Sequence, residues 1–246
     1  MERSKYFLTL IVIIFSVSSI KAAYKSTIYE SYVSNNMAQW KLVIDEMNLQ
    51  NNKSNDFLLE LVNYQYGYVG WCIDKDNDEQ AEAYLALAEA NLEILEKASY
   101  KLSLVNAYKS AFYGFHIGLN VFKAPFVGPK SVECAELAMK LDEKNPYGYI
   151  QYGNSQFYMP SAFGGSKTVA LNYFNKAKLL MELDKTEMKD DWNYLNLLTM
   201  IAKAYTELHD YNAAKACYEN LFRIEPNLMW VKNELYTELL KKINKE

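Results

Sequence analysis

Residues 198–226, LTMIAKAYTELHDYNAAKACYENLFRIEP, decide how this chain folds. Leu198, Ile201, Ala202 and Tyr205 recur at the three- and four-residue intervals that share one face of a helix. His209 and Asp210 interrupt the pattern, Tyr211, Ala214, Tyr218 and Leu221 resume it, and Pro226 ends it. The stretch therefore predicts two amphipathic helices joined by a short polar turn. Ala202 and Ala214 are small enough to let the paired helices approach closely, and Tyr218 is large enough to fill the gap to a neighbouring unit. A hairpin of this size cannot bury its apolar faces alone, so others must stack on it.

The unit before it has the same chemistry. Tyr149, Tyr152 and Gly153 lie on a first helix, and Ala170, Phe174 and Ala177 on a second. Asn145–Pro146 marks its start, because proline suits a first helical turn and the residue before it leaves helical geometry. Farther upstream, Ser131, Ala135 and Ala138 keep the four-then-three spacing, while Ala83, Ala86 and Ala90 give a small-residue stripe in the reverse order. Helices are predicted over 29–49, 55–72, 77–98, 100–121, 129–143, 146–158, 166–183, 191–207, 211–224 and 227–243. The connections are short and polar, as in Asp74 to Asp78, so a single helical domain over 23–246 is expected. The last helix, ending in Lys241, Lys242 and Lys245, is placed as a cap over the final hairpin.

Composition agrees. Of 246 residues, 50% are hydrophobic, 23% charged and 15% aromatic, which excludes a disordered chain and a disulfide-dense miniprotein. Nine Gly and five Pro are too few for the corners of a many-stranded barrel or sandwich. The net charge of −4, with no basic patch, argues against a nucleic-acid surface.

At the N-terminus, Arg3 and Lys5 precede an apolar run from Phe7 to Ile20 that ends at Ala22 and Ala23. The run is shorter than the roughly 20 residues a membrane span needs. Residues 1–22 are therefore read as a secretory signal peptide, which predicts an exported protein, periplasmic or extracellular, with no stable membrane insertion after cleavage. Losing Arg3, Lys5, Lys21 and Glu2 leaves 23 basic against 29 acidic residues, a balance of −6. Cys72, Cys134 and Cys217 form no CxxC or Cys/His cluster and read as small apolar side chains.

The spacing over 146–226, and more weakly from about 55, resembles the tetratricopeptide repeat (TPR) family: large, large, small, Tyr on one helix, then Ala, aromatic, small, Pro on the next. Leu221 departs, where the family has Ala. The resemblance implies an all-α, TPR-like α-solenoid of about five helix pairs with a C-terminal capping helix, which binds a partner along its concave face and brings no catalytic residues. Between the helices of the 146–183 unit stands Met159-Pro160-Ser161-Ala162-Phe163-Gly164-Gly165, similar to inserts in TPR-like subunits of TRAP-type solute transporters and in mitochondrial regulators of microtubule dynamics. That likeness implies a closed or strongly curved body with an internal pocket for an apolar ligand. From its residues alone the segment reads as a long loop, with unusual dihedrals at Gly164 and Gly165 and Phe163 plugging a local gap.

Catalytic and metal signatures are lacking. His116 and His209 fall on different helices without metal-ligand spacing, and there is no P-loop, dinucleotide fingerprint or nucleophile elbow. Asp74, Asp76, Asp78 and Glu79 begin like a calcium loop, but Glu79 and Leu85 stand where Gly and Glu are needed, so the cluster reads as an acidic helix start. No cofactor is expected.

The excess is aromatic, with 21 Tyr, 11 Phe and 4 Trp. With Gly67, Gly114 and Gly153 taken as close-packing positions, the groove-facing stripe comprises Tyr64, Tyr68, Trp71, Tyr108, Phe115, Tyr147, Asn154, Phe157 and Tyr158. Tyr and Trp join a large apolar area to a polar handle, as recognition surfaces do, although the same rings suit gap filling between stacked units. The expected function is that of a non-enzymatic adaptor holding a peptide or protein partner; the alternative is a transporter-associated component enclosing a small apolar ligand.

Overall fold

The computed structural model describes residues 23–183 and 188–245, so the leader expected over 1–22 lies outside the described residues. Among the described residues every regular element is a helix. They are α1 (23–34), α2 (Met37–Leu49), α3 (Asn55–Asp74), α4 (Asp78–Lys97), α5 (Leu102–Leu119), α6 (Ala124–Leu141), α7 (Pro146–Tyr158), α8 (Lys167–Met181), α9 (Trp192–Glu207), α10 (Tyr211–Ile224) and α11 (229–243). Short polar side chains start most of them. Ser54, Asn77, Asn145, Ser166, Asp191 and Asp210 each accept a hydrogen bond from a backbone N–H of the first turn they cap.

Helices pack as hairpins, α3 with α4, α5 with α6, α7 with α8 and α9 with α10, and the second helix of each packs on the first of the next, with α3 on α5 and α5 on α7 alongside. The matched small residues work as the sequence predicts over most of the chain. Ser131, Ala135, Ala138, Ala170, Ala177, Ala202 and Ala214 are all buried. At Gly153 a Cβ would sit 2.6 Å from Cε1 of Phe174, so that ring occupies the space glycine vacates.

Four expectations are corrected. The helix predicted over 29–49 is two helices, because Asn35 takes a left-handed φ of 56° and Asn36 caps α2 through Gln39 N. The helix predicted from 129 begins at Ala124. Pro125 occupies its first turn, where no donor is needed, and Pro129 is tolerated one turn further in. Ala83, Ala86 and Ala90 face solvent, and the buried stripe of α4 is Ala81, Tyr84, Leu85, Ala88, Leu92 and Leu95. Gly114 is exposed, with nothing near a Cβ placed there, so it is no packing point.

The separation of α1 from α2 lets the stack curve until its ends meet. Tyr32 on α1 lies 6.4 Å from Trp40 on α2, 5.8 Å from Trp192 on α9 and 5.7 Å from Trp230 on α11, ring centre to ring centre. Trp230 Nε1 donates to the Tyr32 carbonyl at 3.0 Å, and the Tyr29 hydroxyl donates to Glu225 at 2.8 Å. Helix α11 covers α10 as a cap should, through Tyr236 against Tyr218 and Phe222. Lys75, in the α3–α4 turn, is held above its usual pKa mainly by Asp74, with Glu234 of α11 adding to the rise.

Candidate functional site

Closure places the inner faces of α3, α5, α7 and α9 around one axis, and Tyr66 of α3 stands on it. Its ring lies 5.8 Å from Tyr108, 5.5 Å from Phe115 and 6.1 Å from Trp192, spanning α5 and α9 at once. Burial raises the Tyr66 pKa, and the nearby side-chain amides of Gln151 and Asn154 of α7 work against that rise. Burial likewise carries Tyr108 and Tyr147 well above the ordinary tyrosine value, with the Asp191 carboxylate adding to both. Asp191 caps α9 by accepting from Asn193 N at 2.9 Å, and its own pKa is raised because burial disfavours the charge.

Beside Tyr66 lies a cavity of about 10 Å3, lined by Tyr66, Tyr147, Gln151, Asn193, Asn196 and Met200 together with Ile150 and Leu197. That is room for roughly one water molecule. Gln151 is 2% exposed, and among the described residues its Nε2 finds no acceptor, although its Oε1 accepts from Asn154 at 3.0 Å. Trp192 Nε1 is also without an acceptor among them. A buried donor left unpaired costs about 1–3 kcal/mol, so the interior is polar and under-satisfied.

The nine residues predicted to line a groove divide three ways. Tyr64, Tyr68, Tyr108 and Phe157 are core: Tyr64 packs on Trp40, Tyr68 on Tyr84, Tyr108 on Phe112, and Phe157 on Phe174. Trp71 stacks on Tyr68. Tyr147 lines the small cavity. Only Phe115, Asn154 and Tyr158 follow Tyr66 outward toward the C-terminal ends of the inner helices, with Phe115 and Asn154 half-buried and Tyr158 exposed. Tyr66, Gln151, Asn193, Asn196 and Trp192 were missed. Helix α3 has a polar stripe of Asp56, Glu60, Asn63 and Asp74 with Tyr64 and Tyr66 on either side of it, so which flank turns toward the axis was not legible. Gly67 was a usable signal: a Cβ there would lie 2.6 Å from Trp40 Cζ2 and 2.8 Å from Trp192 Cη2, so it marks where α2 and α9 meet α3.

The other polar groups are engaged elsewhere. A surface hollow of about 150 Å3 between α4 and α5 contains Glu89, Glu93 and Glu96. These pair with His116 at 2.8 Å, Lys97 at 2.7 Å and Lys109 at 2.8 Å. His209, in the α9–α10 turn, pairs with the Tyr211 hydroxyl. Asn77 caps α4, whose first turn holds Asp78 and Glu79. The three cysteines are free, with Cys72 buried and its pKa raised to about 11 by burial. In the 159–165 loop Gly164 has a φ of 95°, and a Cβ on Gly165 would collide with the Met159 carbonyl. Phe163 fills no gap; it is exposed.

Fold and interior together define an all-α protein of stacked hairpins whose first and last units meet around an aromatic axis. No family model and no curated protein matches the chain. Among solved structures it is similar to the HusA haemophore from Porphyromonas gingivalis, at 16% identity over 80% of this chain and 93% of that one, with a TM-score of 0.49. Among the described residues no helix is long and apolar enough to cross a membrane.

Proposed function

We propose that the chain is an exported, non-enzymatic binding protein of divergent TPR type that takes a peptide segment or protein partner at the open end of its concave face. The observation that carries this reading is how the aromatic interior is filled. Tyr66 and its neighbours leave about 10 Å3 at the axis, whereas a pocket for a small organic ligand occupies roughly 300–1,000 Å3. An enclosed apolar solute would require α1 or α9 to move out of the closure. A partner at the rim requires no such movement. Phe115 stacks on Tyr66, Asn154 donates to Gln151, and exposed Tyr158 lies one turn beyond Asn154, combining flat apolar area with hydrogen-bonding groups. Of the two histidines, one is paired with Glu89 on α4 and the other with the Tyr211 hydroxyl in the α9–α10 turn, both away from the axis.

A photo-crosslinking residue at position 158 is expected to capture one discrete partner in the native envelope or extracellular fraction. At position 113, on the outer α4–α5 hollow, it should capture none. Equal labelling at both positions would refute the rim. Native mass spectrometry of the protein from its own source separates the two readings: a stoichiometric small molecule retained by the protein would favour the enclosed ligand.

A further inference from the structure

Two neighbouring turns hold large apolar side chains out into solvent. After α5, a single turn of 3-10 helix, Val121–Lys123, carries Val121 at 67% and Phe122 at 85% exposure, and Phe126 follows in the first turns of α6 at 76%. After α7, a second such turn, Ser161–Phe163, carries Phe163 at 79%, with Tyr158 before it at 65%. The turns lie at the same end of the molecule. Ser131 Oγ of α6 is 3.4 Å from Ser155 Oγ of α7, and from that crossing Phe126 is five residues back and Tyr158 three residues on.

Both turns are fixed. Asn120 Oδ1 accepts from Phe122 N at 3.1 Å, and its carbonyl accepts from Lys123 N at 3.0 Å. The Pro160 carbonyl accepts from Phe163 N at 2.9 Å and from Gly165 N at 3.2 Å, while Ser166 N donates to Gln156 O at 3.0 Å. These bonds fix the backbone of the two turns that carry Phe122 and Phe163, and such concentrated exposure of large apolar side chains marks a surface that meets something. The two segments themselves carry charge of one sign, and Asp74, next to the Ile73 that abuts Gly118, supplies the nearby carboxylate. Residues 119–130 and 158–167 contain Lys123, Lys130 and Lys167 and no acidic residue, in a chain that is acidic overall. Lys167 is turned inward, donating to the Phe157 carbonyl, whereas Lys123 and Lys130 are exposed.

From this we infer that the α5–α6 and α7–α8 turns dock the protein peripherally on an anionic lipid surface. Phe122, Phe126 and Phe163 enter the interface between headgroups and acyl chains, and Lys123 and Lys130 lie against headgroup phosphates. Phe122, Phe126 and Phe163 are each more than three-quarters exposed, so they protrude from the body. A fluid bilayer accepts that shape without a matching surface, and lysine stems can lie along it with their ammonium groups in the headgroup layer. This inference rests on the exposed rings and not on the partner reading, although both use the end of the molecule that carries Tyr158.

The test is flotation of the protein with vesicles of phosphatidylcholine alone or mixed with phosphatidylglycerol. All variants are made in the same chain, so the N-terminal segment is common to them. The protein should float with the anionic vesicles. The triple variant F122A/F126A/F163A should lose roughly tenfold or more of that binding, K123E/K130E should remove its salt sensitivity, and L49A, another exposed apolar position, should change nothing. Far-UV circular dichroism checks that each variant is folded. Wild-type protein that ignores both vesicle types, or a folded triple variant that floats as wild type does, overturns the inference. So does a dimer that the triple variant dissolves without any vesicle binding, which would make the patch an interface between copies.

Discussion

Replacing Gly67 with alanine tests whether the two ends of the stack really meet at α3. The added methyl would fall 2.6 Å from Trp40 Cζ2 and 2.8 Å from Trp192 Cη2, well inside van der Waals contact. Neither ring can yield easily. Trp40 is 1% exposed and its Nε1 donates to the Tyr64 carbonyl at 2.9 Å, while the two indoles lock edge to face with centres 5.0 Å apart. Overpacking a rigid core costs typically about 1–3 kcal/mol, and two interlocked rings place this site near the upper end. Alanine recovers about 1 kcal/mol of helix propensity, leaving a net loss of about 2 kcal/mol. For a chain of this size that lowers the Tm by roughly 4–8 °C, read by circular dichroism during thermal unfolding. Gly114→Ala is the matched control. It is helical and exposed, with nothing within 4 Å of the new methyl, so the same exchange should stabilise by about 0.5–1 kcal/mol. If both variants melt at or above the wild type, the contact of α3 with α2 and α9 through the indoles is refuted.

The buried tyrosines predict alkaline instability. Burial raises the pKa values of Tyr64, Tyr66, Tyr108 and Tyr147 above the ordinary tyrosine value of about 10, so the unfolded chain loses protons the folded chain keeps. Stability should be intact below about pH 10 and fall above it, by up to about 1.4 kcal/mol per pH unit for each such residue. Ultraviolet titration should then show a group of tyrosines ionising only as helicity collapses, and smooth titration of all 21 in a folded protein would contradict it. Asp191→Ala removes a cap and should cost about 1 kcal/mol, whereas Asp191→Asn keeps a capping oxygen and sheds a charge that burial disfavours, so in urea titrations at neutral pH it should match or exceed the wild type. Trp230→Phe takes the donor from the Tyr32 carbonyl, at a cost of about 1 kcal/mol, and amide exchange should accelerate in α1 before it does in α4.

Helix content and hairpin pairing were legible because they depend on local spacing. Ala202, Ala214, Gly153 and Ala170 sit where two helices cross, and a small residue at such a crossing has the same meaning wherever the chain goes next. Boundaries were less legible where one residue decides them. Asn35 breaks what the apolar pattern joins, and Pro125 starts a helix that the later Pro129 seems to open. The groove was misplaced for a different reason. Tyr64, Tyr66 and Tyr68 lie within five residues on a helix whose one polar stripe leaves the rest of its surface apolar, and only packing against α5 and α9 decides which of them faces the axis.

By itself the sequence determined an all-helical chain of stacked hairpins, rich in tyrosine, because periodicity and side-chain size act over a few residues. Whether the stack stays open or closes was settled by contacts between residues nearly the whole chain apart: Tyr32 with Trp230, Tyr29 with Glu225, and Trp40 with Trp192. No local pattern encodes such pairs. They form only once the accumulated curvature of several hairpins brings the ends together, and that same curvature turns a would-be groove into a packed aromatic axis with its accessible residues at one rim.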